Sequence, residues 1–291
     1  MKSKHKWNIV LIFVTFVWGA GYPITKLGLD NFGATWFVGI RFILATLILM
    51  IIFRRKLKNI TKDMVKCSSI IGFTLCLVFT LNINALNHTS ATNVGFYGAL
   101  AIIFTPFLSR IAYKESIKKK TILSIGIAVI GIYLLSGSNP TGKFIFRLGD
   151  YMAVFSAFIY AVTLIITEKL VSKYDTDLLT LLELMFVAIF ATIFAAIFEP
   201  TPISAGNMTI VAIIFTAVLG TAAAMLLQNT AQKHVSSWHV ALIFTMEPVF
   251  GGILSYIMLG ENIGVKGIIG SIFIIGALII SELDIFQLKV Q

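Results

Sequence analysis

The fold is decided by "ALNHTSATNVGFYGAL" at residues 85–100, which aligns without gaps with "AQKHVSSWHVALIFTM" at residues 231–246. In this alignment His88 falls opposite His234. Self-similarity at a fixed offset is the signature of an internal repeat. The chain is therefore expected to contain one structural unit twice.

Aligned side chains outside these stretches extend the repeat over most of the chain. The matched pairs are Glu115 with Glu261, Trp18 with Tyr160, Lys26 with Glu168 and Arg41 with Glu183. Between the two copies lies "SGSNPTGK", whose Gly, Ser, Asn and Pro residues are typical of a linker. We therefore predict a first repeat at residues 1–137, a linker at 138–144 and a second repeat at 145–291.

The composition indicates that both repeats lie in a membrane. Of the 291 residues, 58% are hydrophobic and 12% charged, and the mean hydropathy of +0.93 is far above that of soluble domains. Apolar runs of about 20 residues can cross a hydrocarbon layer about 30 Å thick. Ten such runs occur, at approximately residues 7–26, 34–53, 65–85, 91–111, 120–136, 149–168, 178–198, 209–230, 236–258 and 264–281. They lack the alternation of barrel strands, so we predict an all-α membrane protein with ten transmembrane helices.

The positive charges are distributed unevenly between the predicted loops. Most of the 23 lysines and arginines share one side with the N-terminus, including the run "RRKLKNITKDMVK" at residues 54–66. The opposite side holds Lys26, Lys143, Arg147 and Lys266. This asymmetry follows the positive-inside rule and predicts that both termini are cytoplasmic. We therefore interpret the net charge of +10 as a signal for orientation in the membrane, with the basic residues also contacting anionic lipid head groups. No nucleic acid is expected as a partner.

An odd number of spans in each repeat determines how the two repeats are related. With five spans each, the second repeat must enter the membrane in the opposite sense to the first. Inverted repeats of this kind are characteristic of secondary transporters, which hold the solute near the bilayer midplane and expose it to alternate sides.

The order and spacing of several motifs resemble those of a known family. The motifs are "FVWGAGYPITK" in the first span, "TSATNVGFYGALAIIFTPFLSRIAYKE" in the fourth and "MEPVFGGILSYIMLGE" in the ninth. They are similar to those of the EamA-type ten-helix branch of the drug/metabolite transporter superfamily, over nearly the whole chain. The resemblance implies a central cavity lined mainly by helices other than the fifth and tenth, and export or uptake of small organic solutes.

Three charged residues lie inside predicted spans and are candidate solute contacts. Arg41, Glu183 and Glu247 would each cost about 2.5–3.5 kcal/mol at a helix centre facing lipid, so each is expected to face the bundle interior. Arg41 either forms a structural ion pair with Glu183 or meets an anionic group of the solute. If transport is driven by protons, Glu247 or Glu183 is the expected proton carrier.

The ninth span places Glu247 directly before Pro248. Proline lacks an amide hydrogen and opens the helix ladder, so this position suits a kinked helix beside a wet cavity, although a buried structural acid is the alternative. His239 is expected on the same helix face as Glu247. The repeat matches this face with one in the fourth span that carries Asn93 and Tyr97.

Aromatic and amide side chains complete the predicted solute site. Trp18 and Tyr22 lie one turn apart in the first span, where Gly19 and Gly21 permit close helix approach, although an interfacial aromatic belt is the alternative. Asn82 and Gln228 coincide in the repeat alignment and could bind solute or join helices.

Missing motifs limit the possible functions. The chain has no G-x-x-x-x-G-K-[ST], H-E-x-x-H or G-x-S-x-G sequence, which argues against ATP hydrolysis and against the common membrane hydrolases. We predict a secondary active transporter of small organic metabolites or drugs, without cofactor or metal, working as an exporter in a bacterial plasma membrane. A passive channel and, less favoured, an intramembrane enzyme are the alternatives.

Overall fold

The computed structural model describes residues 2–29, 32–114, 119–136, 146–202, 205–261 and 264–283. The regular secondary structure within these ranges is helical, and it forms ten successive spans, as the sequence predicted. Glu115 and the predicted linker lie outside the described residues.

The spans follow the order of the chain. The α-helices are α1 (Lys2–Gly28), α2 (Ala34–Ile52), α3 (Lys62–Ala85), α4 (Ala91–Gly98), α5 (Ala101–Tyr113), α6 (Lys119–Ser136), α7 (Leu148–Val171), α8 (Thr176–Phe198), α9 (Asn207–Ala217), α10 (Ala224–Gln232), α11 (Ser237–Phe244), α12 (Glu247–Leu259) and α13 (Gly264–Leu283). A 3₁₀-helix at Leu57–Asn59 follows α2, and a π-helix at Val218–Ala223 joins α9 to α10. Eight spans are long and apolar enough to cross a membrane, and α6 and α13 contain shorter apolar segments.

Two of the spans are broken at equivalent positions. The fourth span consists of α4 and α5, separated at Ala99 and Leu100, and the ninth consists of α11 and α12, separated at Thr245 and Met246. In the ninth span the break lies directly before Glu247, because Pro248 cannot donate to the helix ladder. The predicted kink beside Glu247 is confirmed.

Contacts between helix ends show how the spans are oriented. At the end of the bundle where α1 begins, which we call the near end, Trp7 stacks on His234 with ring centroids 4.8 Å apart. At the opposite end, which we call the far end, Lys26 forms an ion pair with Glu261 at 3.2 Å. The first and ninth spans therefore run parallel, as alternating odd-numbered spans must. The near end is the predicted cytoplasmic side.

The packing of the helices has the two-fold symmetry that the repeat predicted. Helix α1 packs against α9 and α10 and against the broken span α11–α12. Its counterpart α7 packs in the same way against α3 and the broken span α4–α5. Helix α2 contacts its own counterpart α8, and α6 contacts its own counterpart α13. Exchanging the two repeats therefore preserves the neighbours of each span.

A glycine sets the distance between α1 and α12. A Cβ atom added at Gly19 would lie 2.8 Å from Cβ of Phe250 and 2.9 Å from the carbonyl oxygen of Glu247. Real Cβ atoms do not approach other heavy atoms this closely, so only glycine allows this contact. The close approach brings the start of α12, with its carboxylate, against the first span.

Candidate functional site

A cavity lies at the centre of the bundle, between the two repeats. Its described lining comes from α1, α2, α3, α7, α9, the π-helix and the two broken spans. Within the described residues α6 and α13 contribute no lining, in agreement with the family resemblance. About 90 Å³ is available to the centres of water-sized spheres. This volume exceeds the roughly 10–15 Å³ that a cavity needs to hold one water molecule.

The cavity is displaced toward the far end of the bundle. It extends from Ala241, about one turn into α11, to Thr25 and Leu86, about one turn from the far end. Asn82 and Leu86 contribute to the described lining, whereas their repeat counterparts Gln228 and Gln232 do not. The conformation is therefore asymmetric, although the sequence of the two repeats is matched.

Arg41 lies on the cavity wall and is held there by the eighth span. Its Nε donates to the hydroxyl of Thr221, and its Nη2 donates to the carbonyl of Gly220 at 3.1 Å. The guanidinium carbon also lies 5.5 Å and 5.1 Å from the ring centroids of Phe42 and Phe79. These contacts fix the guanidinium against the wall while leaving part of it facing the cavity.

The π-helix supplies the carbonyl group that this arrangement requires. In the π-helix at Val218–Ala223 the hydrogen bonds span five residues instead of four, a rearrangement that is frequent at functional sites. The carbonyl of Gly220 accepts from Nε1 of Trp18 at 2.8 Å as well as from Arg41. One backbone carbonyl thus orients both a cation and an indole on the cavity wall.

Glu247 is the acidic side chain of the described cavity lining. It is half-buried at the first residue of α12 and lines the cavity. The phenol of Tyr22 forms a hydrogen bond with its carboxylate, and Tyr160 interacts with the carboxylate electrostatically. Tyr22 also interacts electrostatically with Arg41, so this one phenol lies near both charges.

Aromatic side chains form much of the remaining wall. The indole of Trp18 packs on Phe244 with centroids 4.9 Å apart and on Tyr160 with centroids 6.2 Å apart. Of the ten solute contacts predicted from the sequence, five line the cavity, namely Trp18, Tyr22, Arg41, Asn82 and Glu247.

Glu183 lies outside the cavity, and the expected ion pair with Arg41 does not form. Glu183 is fully buried, and one of its oxygens accepts from Nδ2 of Asn229 at 2.7 Å. The expectation fails because α2 and α8 run antiparallel, with Gly39 against Thr192. At 1.5 Å per residue, this register separates Glu183 from the level of Arg41 by about 10 Å.

The two predicted residues of the fourth span also lie outside the cavity. Nδ2 of Asn93 donates to the hydroxyl of Thr89 at 3.1 Å and to Asp150 at 3.3 Å, which ties α4 to α7 at the far end. Tyr97 is buried and packs on Phe146 with centroids 5.3 Å apart. In the structure these two side chains hold helices together.

His239 lies toward the near end, beyond the floor of the cavity. Its ring pairs with Oδ1 of Asn8 at 3.1 Å, so it faces α1, as Glu247 does through its contact with Tyr22. Ala241 and Phe244, which follow His239 in α11, line the cavity, whereas His239 does not.

Tyr160 and Gly220 line the cavity but are not among the contacts predicted from the sequence. Tyr160 could have been found, because the repeat matches it with Trp18. Its hydroxyl donates to Oε1 of Gln228 at 3.1 Å, so Gln228 lies directly behind the wall and does not line the cavity. Gly220 carries no signal in the sequence, since its role depends on a backbone carbonyl.

The chain matches the model of the EamA-like transporter family twice, over residues 5–137 and 147–282. An uncharacterized transporter of Archaeoglobus fulgidus is 27% identical over 96% of this chain and 86% of its own length. A probable amino-acid metabolite efflux pump of Escherichia coli is 21% identical over 96% of this chain and 95% of its own length. A protein of known crystal structure superposes with a TM-score of 0.78 over 98% of this chain and 99% of its own, at 13% identity, which supports the fold.

The two family matches agree with the duplicated architecture, and the long apolar helices place the chain in a membrane. The chain belongs to the EamA-like transporter family, and it is therefore an integral membrane transporter and not an enzyme.

Proposed function

We propose that this chain is a secondary active transporter that exports small zwitterionic solutes of the amino-acid type by alternating access. The observation that supports this proposal is the charge of the cavity wall. In the part of the chain that the structure describes, the wall carries one cation, Arg41, and one carboxylate, Glu247, among apolar and aromatic side chains. Such a wall is complementary to a molecule with one negative and one positive group.

The carboxylate of the solute would bind Arg41. A guanidinium has five N–H donors, of which two are used by Thr221 and Gly220, so three are left for a ligand. The planar fork of arginine can bind both oxygens of a carboxylate at once. Because the protein already fixes the guanidinium, little further ordering is needed when the solute binds.

The ammonium group of the solute would bind Glu247. The aromatic rings of Tyr22 and Tyr160 adjoin this carboxylate and favour a cation over their faces. Tyr22 interacts with both Arg41 and Glu247, which supports binding of both charges of one small molecule.

Glu247 is also the proposed site of proton coupling. Protonation would neutralise its carboxylate and remove its attraction for the ammonium group, so a proton and the solute would exclude each other at this side chain. Protons that move inward down their gradient would then drive export of the solute by exchange at this side chain. The direction is proposed by analogy with the relatives from Escherichia coli and Salmonella typhimurium, each described as a probable amino-acid metabolite efflux pump.

Counterflow in proteoliposomes tests the proposal. Vesicles loaded with an unlabelled amino-acid mixture should accumulate a radiolabelled neutral amino acid transiently, because a carrier exchanges solute across the membrane. A channel would show equilibration without stimulation from the opposite side, and an enzyme would convert the compound in detergent. Absence of stimulated exchange for every zwitterion in a protein that exchanges another class of solute would contradict the proposed substrate.

A matched pair of tyrosine variants connects transport to the cavity. Tyr22→Phe removes the hydroxyl that interacts with Glu247 and should slow exchange severalfold. Tyr97→Phe removes a hydroxyl from a residue of the fourth span outside the cavity and should leave exchange unchanged. Equal effects of the two changes would argue against this cavity as the solute site.

A further inference from the structure

A continuous file of hydrogen-bonded side chains runs from the cavity wall to the near end. The hydroxyl of Tyr160 donates to Gln228 at 3.1 Å, and Nε2 of Gln228 donates to Oε1 of Gln232 at 3.3 Å. Nε2 of Gln232 lies 3.4 Å from Oγ of Ser237 and donates to the carbonyl of Leu164 at 3.1 Å. The Ser237 hydroxyl can donate its one hydrogen either to the carboxylate of Glu168 or to the carbonyl of Leu164. We call these five side chains the near-end file. It joins the sixth, eighth and ninth spans.

The near-end file is polar in a part of the bundle that could have been apolar. Gln228 is 2% exposed, Gln232 is 3% exposed and Ser237 is fully buried. Burying amides costs free energy unless every group is paired, and polar residues inside membrane proteins often mark the paths of solutes. Amides do not readily accept and release protons, so two consecutive glutamines make the file a poor proton relay. A path for a polar solute is the better interpretation.

The repeat shows what the same positions do in the other half of the bundle. It pairs Tyr160 with Trp18, Gln228 with Asn82 and Gln232 with Leu86. All three counterparts line the cavity toward the far end. The amide oxygen of Asn82 has no hydrogen-bond partner among the described residues, whereas Oε1 of its counterpart Gln228 accepts from Tyr160. Positions that enclose open space in one half are packed together in the other.

The two ends of the bundle carry related contacts between a carboxylate and the N-terminus of a half-helix. At the near end the carboxylate of Glu168 accepts from the backbone amide of Ser237, the first residue of α11, at 3.0 Å. At the far end the carboxylate of Glu261 accepts from the backbone amide of Ala91, the first residue of α4, at 3.3 Å, and from Lys26 at 3.2 Å. Each end thus places a carboxylate on the N-terminus of a half-helix, where the helix dipole favours negative charge.

We propose that the near-end file is the closed near-end half of the solute pathway and that Glu168 with Ser237 is the latch at its end. In the alternate conformation the file parts, and its amides and Tyr160 line a near-end cavity, while their counterparts Trp18, Asn82 and Leu86 pack together. The amides then exchange hydrogen bonds with each other for hydrogen bonds with a polar solute. This inference rests on the proposed transport function.

Two threonines at repeat-equivalent positions provide matched reporters. Thr25 lines the cavity, and its counterpart Thr167 lies in α7 one residue before Glu168. Both are 3% exposed. Thr25→Cys and Thr167→Cys would each be introduced with both native cysteines replaced (Cys67→Ser and Cys76→Ala). The rate of reaction with methanethiosulfonate ethylammonium is measured on the full chain in lipid nanodiscs without solute.

Weakening the latch should change the two rates in opposite directions. Ser237→Ala removes the hydroxyl that can donate to Glu168 and should raise the rate at Thr167→Cys by about tenfold or more, the usual effect of losing a hydrogen bond to a charged group. The rate at Thr25→Cys should fall. The control Ser172→Ala removes an exposed hydroxyl at the same end of α7 and should leave both rates unchanged. Gln232→Leu, which breaks the file without emptying the site, should act as Ser237→Ala does.

An unchanged rate at Thr167→Cys in both latch variants, or a parallel rise at the two reporters, would overturn the inference, because a parallel rise indicates general loosening. Failure of the transport proposal would give a different result. The labelling rates at the two reporters would change in opposite directions, but the protein would show no counterflow. Failure of this inference alone would be seen as non-reciprocal labelling in a protein that still exchanges solute.

Discussion

Thr25 and Thr167 occupy equivalent positions in the two repeats and are equally buried, yet one borders a cavity and the other lies beside a packed file of polar side chains. The difference between the far-end and near-end halves is therefore one of packing. An exchange of packing between the halves requires two conformations whose free energies differ by only a few kcal/mol.

The halves also differ in ways that exchange cannot remove. The eighth span contains the π-helix at Val218–Ala223, whereas its counterpart in the first repeat, α3, is a continuous α-helix. Arg41 faces the cavity, whereas its counterpart Glu183 lies buried against Asn229. The proposed solute site thus lies where the repeats differ, whereas the proposed pathway lies where they match.

The largest expected effect comes from filling the contact between α1 and α12. Gly19→Val would place atoms within 3 Å of Glu247 and Phe250, so we expect a loss of about 1–3 kcal/mol or more of stability. Gly21 is the matched control, because an added Cβ there meets nothing within 4 Å. Thermal unfolding in detergent should show a large drop for Gly19→Val and a small change for Gly21→Val. Equal drops would show that Gly19 is no more tightly packed than Gly21.

A smaller effect is expected at Glu183, the buried counterpart of Arg41. One of its carboxylate oxygens has no hydrogen-bond partner among the described residues, and leaving a buried polar group unpaired costs about 1–3 kcal/mol. Glu183→Gln keeps an oxygen to accept from Asn229, so the melting temperature should stay the same or rise. A marked fall would reveal a cationic partner and revive the ion pair with Arg41. Solute exchange should persist in this variant, since Glu183 lies outside the cavity.

The smallest effect is expected for the ion pairs at the two ends. At the near end Lys56 forms ion pairs with Asp175, at 3.1 Å, and with Asp177, and the three side chains are 42%, 40% and 29% exposed. Lys26 and Glu261 at the far end are less exposed, at 33% and 19%. Surface ion pairs contribute about 0–1 kcal/mol, so Lys56→Gln should lower stability by less than Lys26→Gln. Unfolding at low and high salt measures both, and a larger loss for Lys56→Gln would contradict this ranking.

The near-end pair also predicts how stability depends on pH. Hydrogen bonds to Asp177 and Asp175 raise the pKa of Lys56 above its ordinary value. Burial raises the pKa of Asp175, but hydrogen bonds from Lys56 and from backbone amides outweigh it and lower the pKa below its ordinary value. The pair thus contributes to the free energy of unfolding from about pH 5 to pH 9. This contribution is lost at lower pH as Asp175 is protonated, and at higher pH as Lys56 is deprotonated. The difference between wild type and Lys56→Gln should be constant across this range.

Much of the fold could be predicted because hydropathy and repeat offset are properties of the sequence itself. The ten spans, the inverted repeats and the break before Pro248 follow from run length, an odd number of spans and a missing amide hydrogen. Arg41 and Glu247 could be placed in the cavity because an unpaired charge facing lipid is too costly.

The remaining features depend on packing that no single residue signals. The π-helix requires one additional residue per turn, and Gly220 acts through its carbonyl, so neither has a side-chain signature. The position of Glu183 depends on the register between α2 and α8. The sequence of matched repeats also could not indicate which half is open, because Asn82 and Gln228 satisfy the same pattern and lie in opposite surroundings.

The most direct test of the solute site combines a change in the protein with a change in the ligand. Affinity for a transported amino acid and for its analogue without the carboxylate is measured by calorimetry, in wild type and in Arg41→Gln. Arg41→Gln should fold normally, because the Gly220 carbonyl keeps its bond from Trp18 and the Thr221 hydroxyl keeps its bond to Thr216.

Wild type is expected to bind the analogue about 10- to 100-fold more weakly than the amino acid, because the analogue cannot form the hydrogen bond between charged groups. Arg41→Gln should bind the two compounds equally, since the partner of the carboxylate is gone. A correctly folded Arg41→Gln variant that still binds the analogue about 10- to 100-fold more weakly than the amino acid would show that another group binds the carboxylate. That result would contradict the central role of this cavity wall.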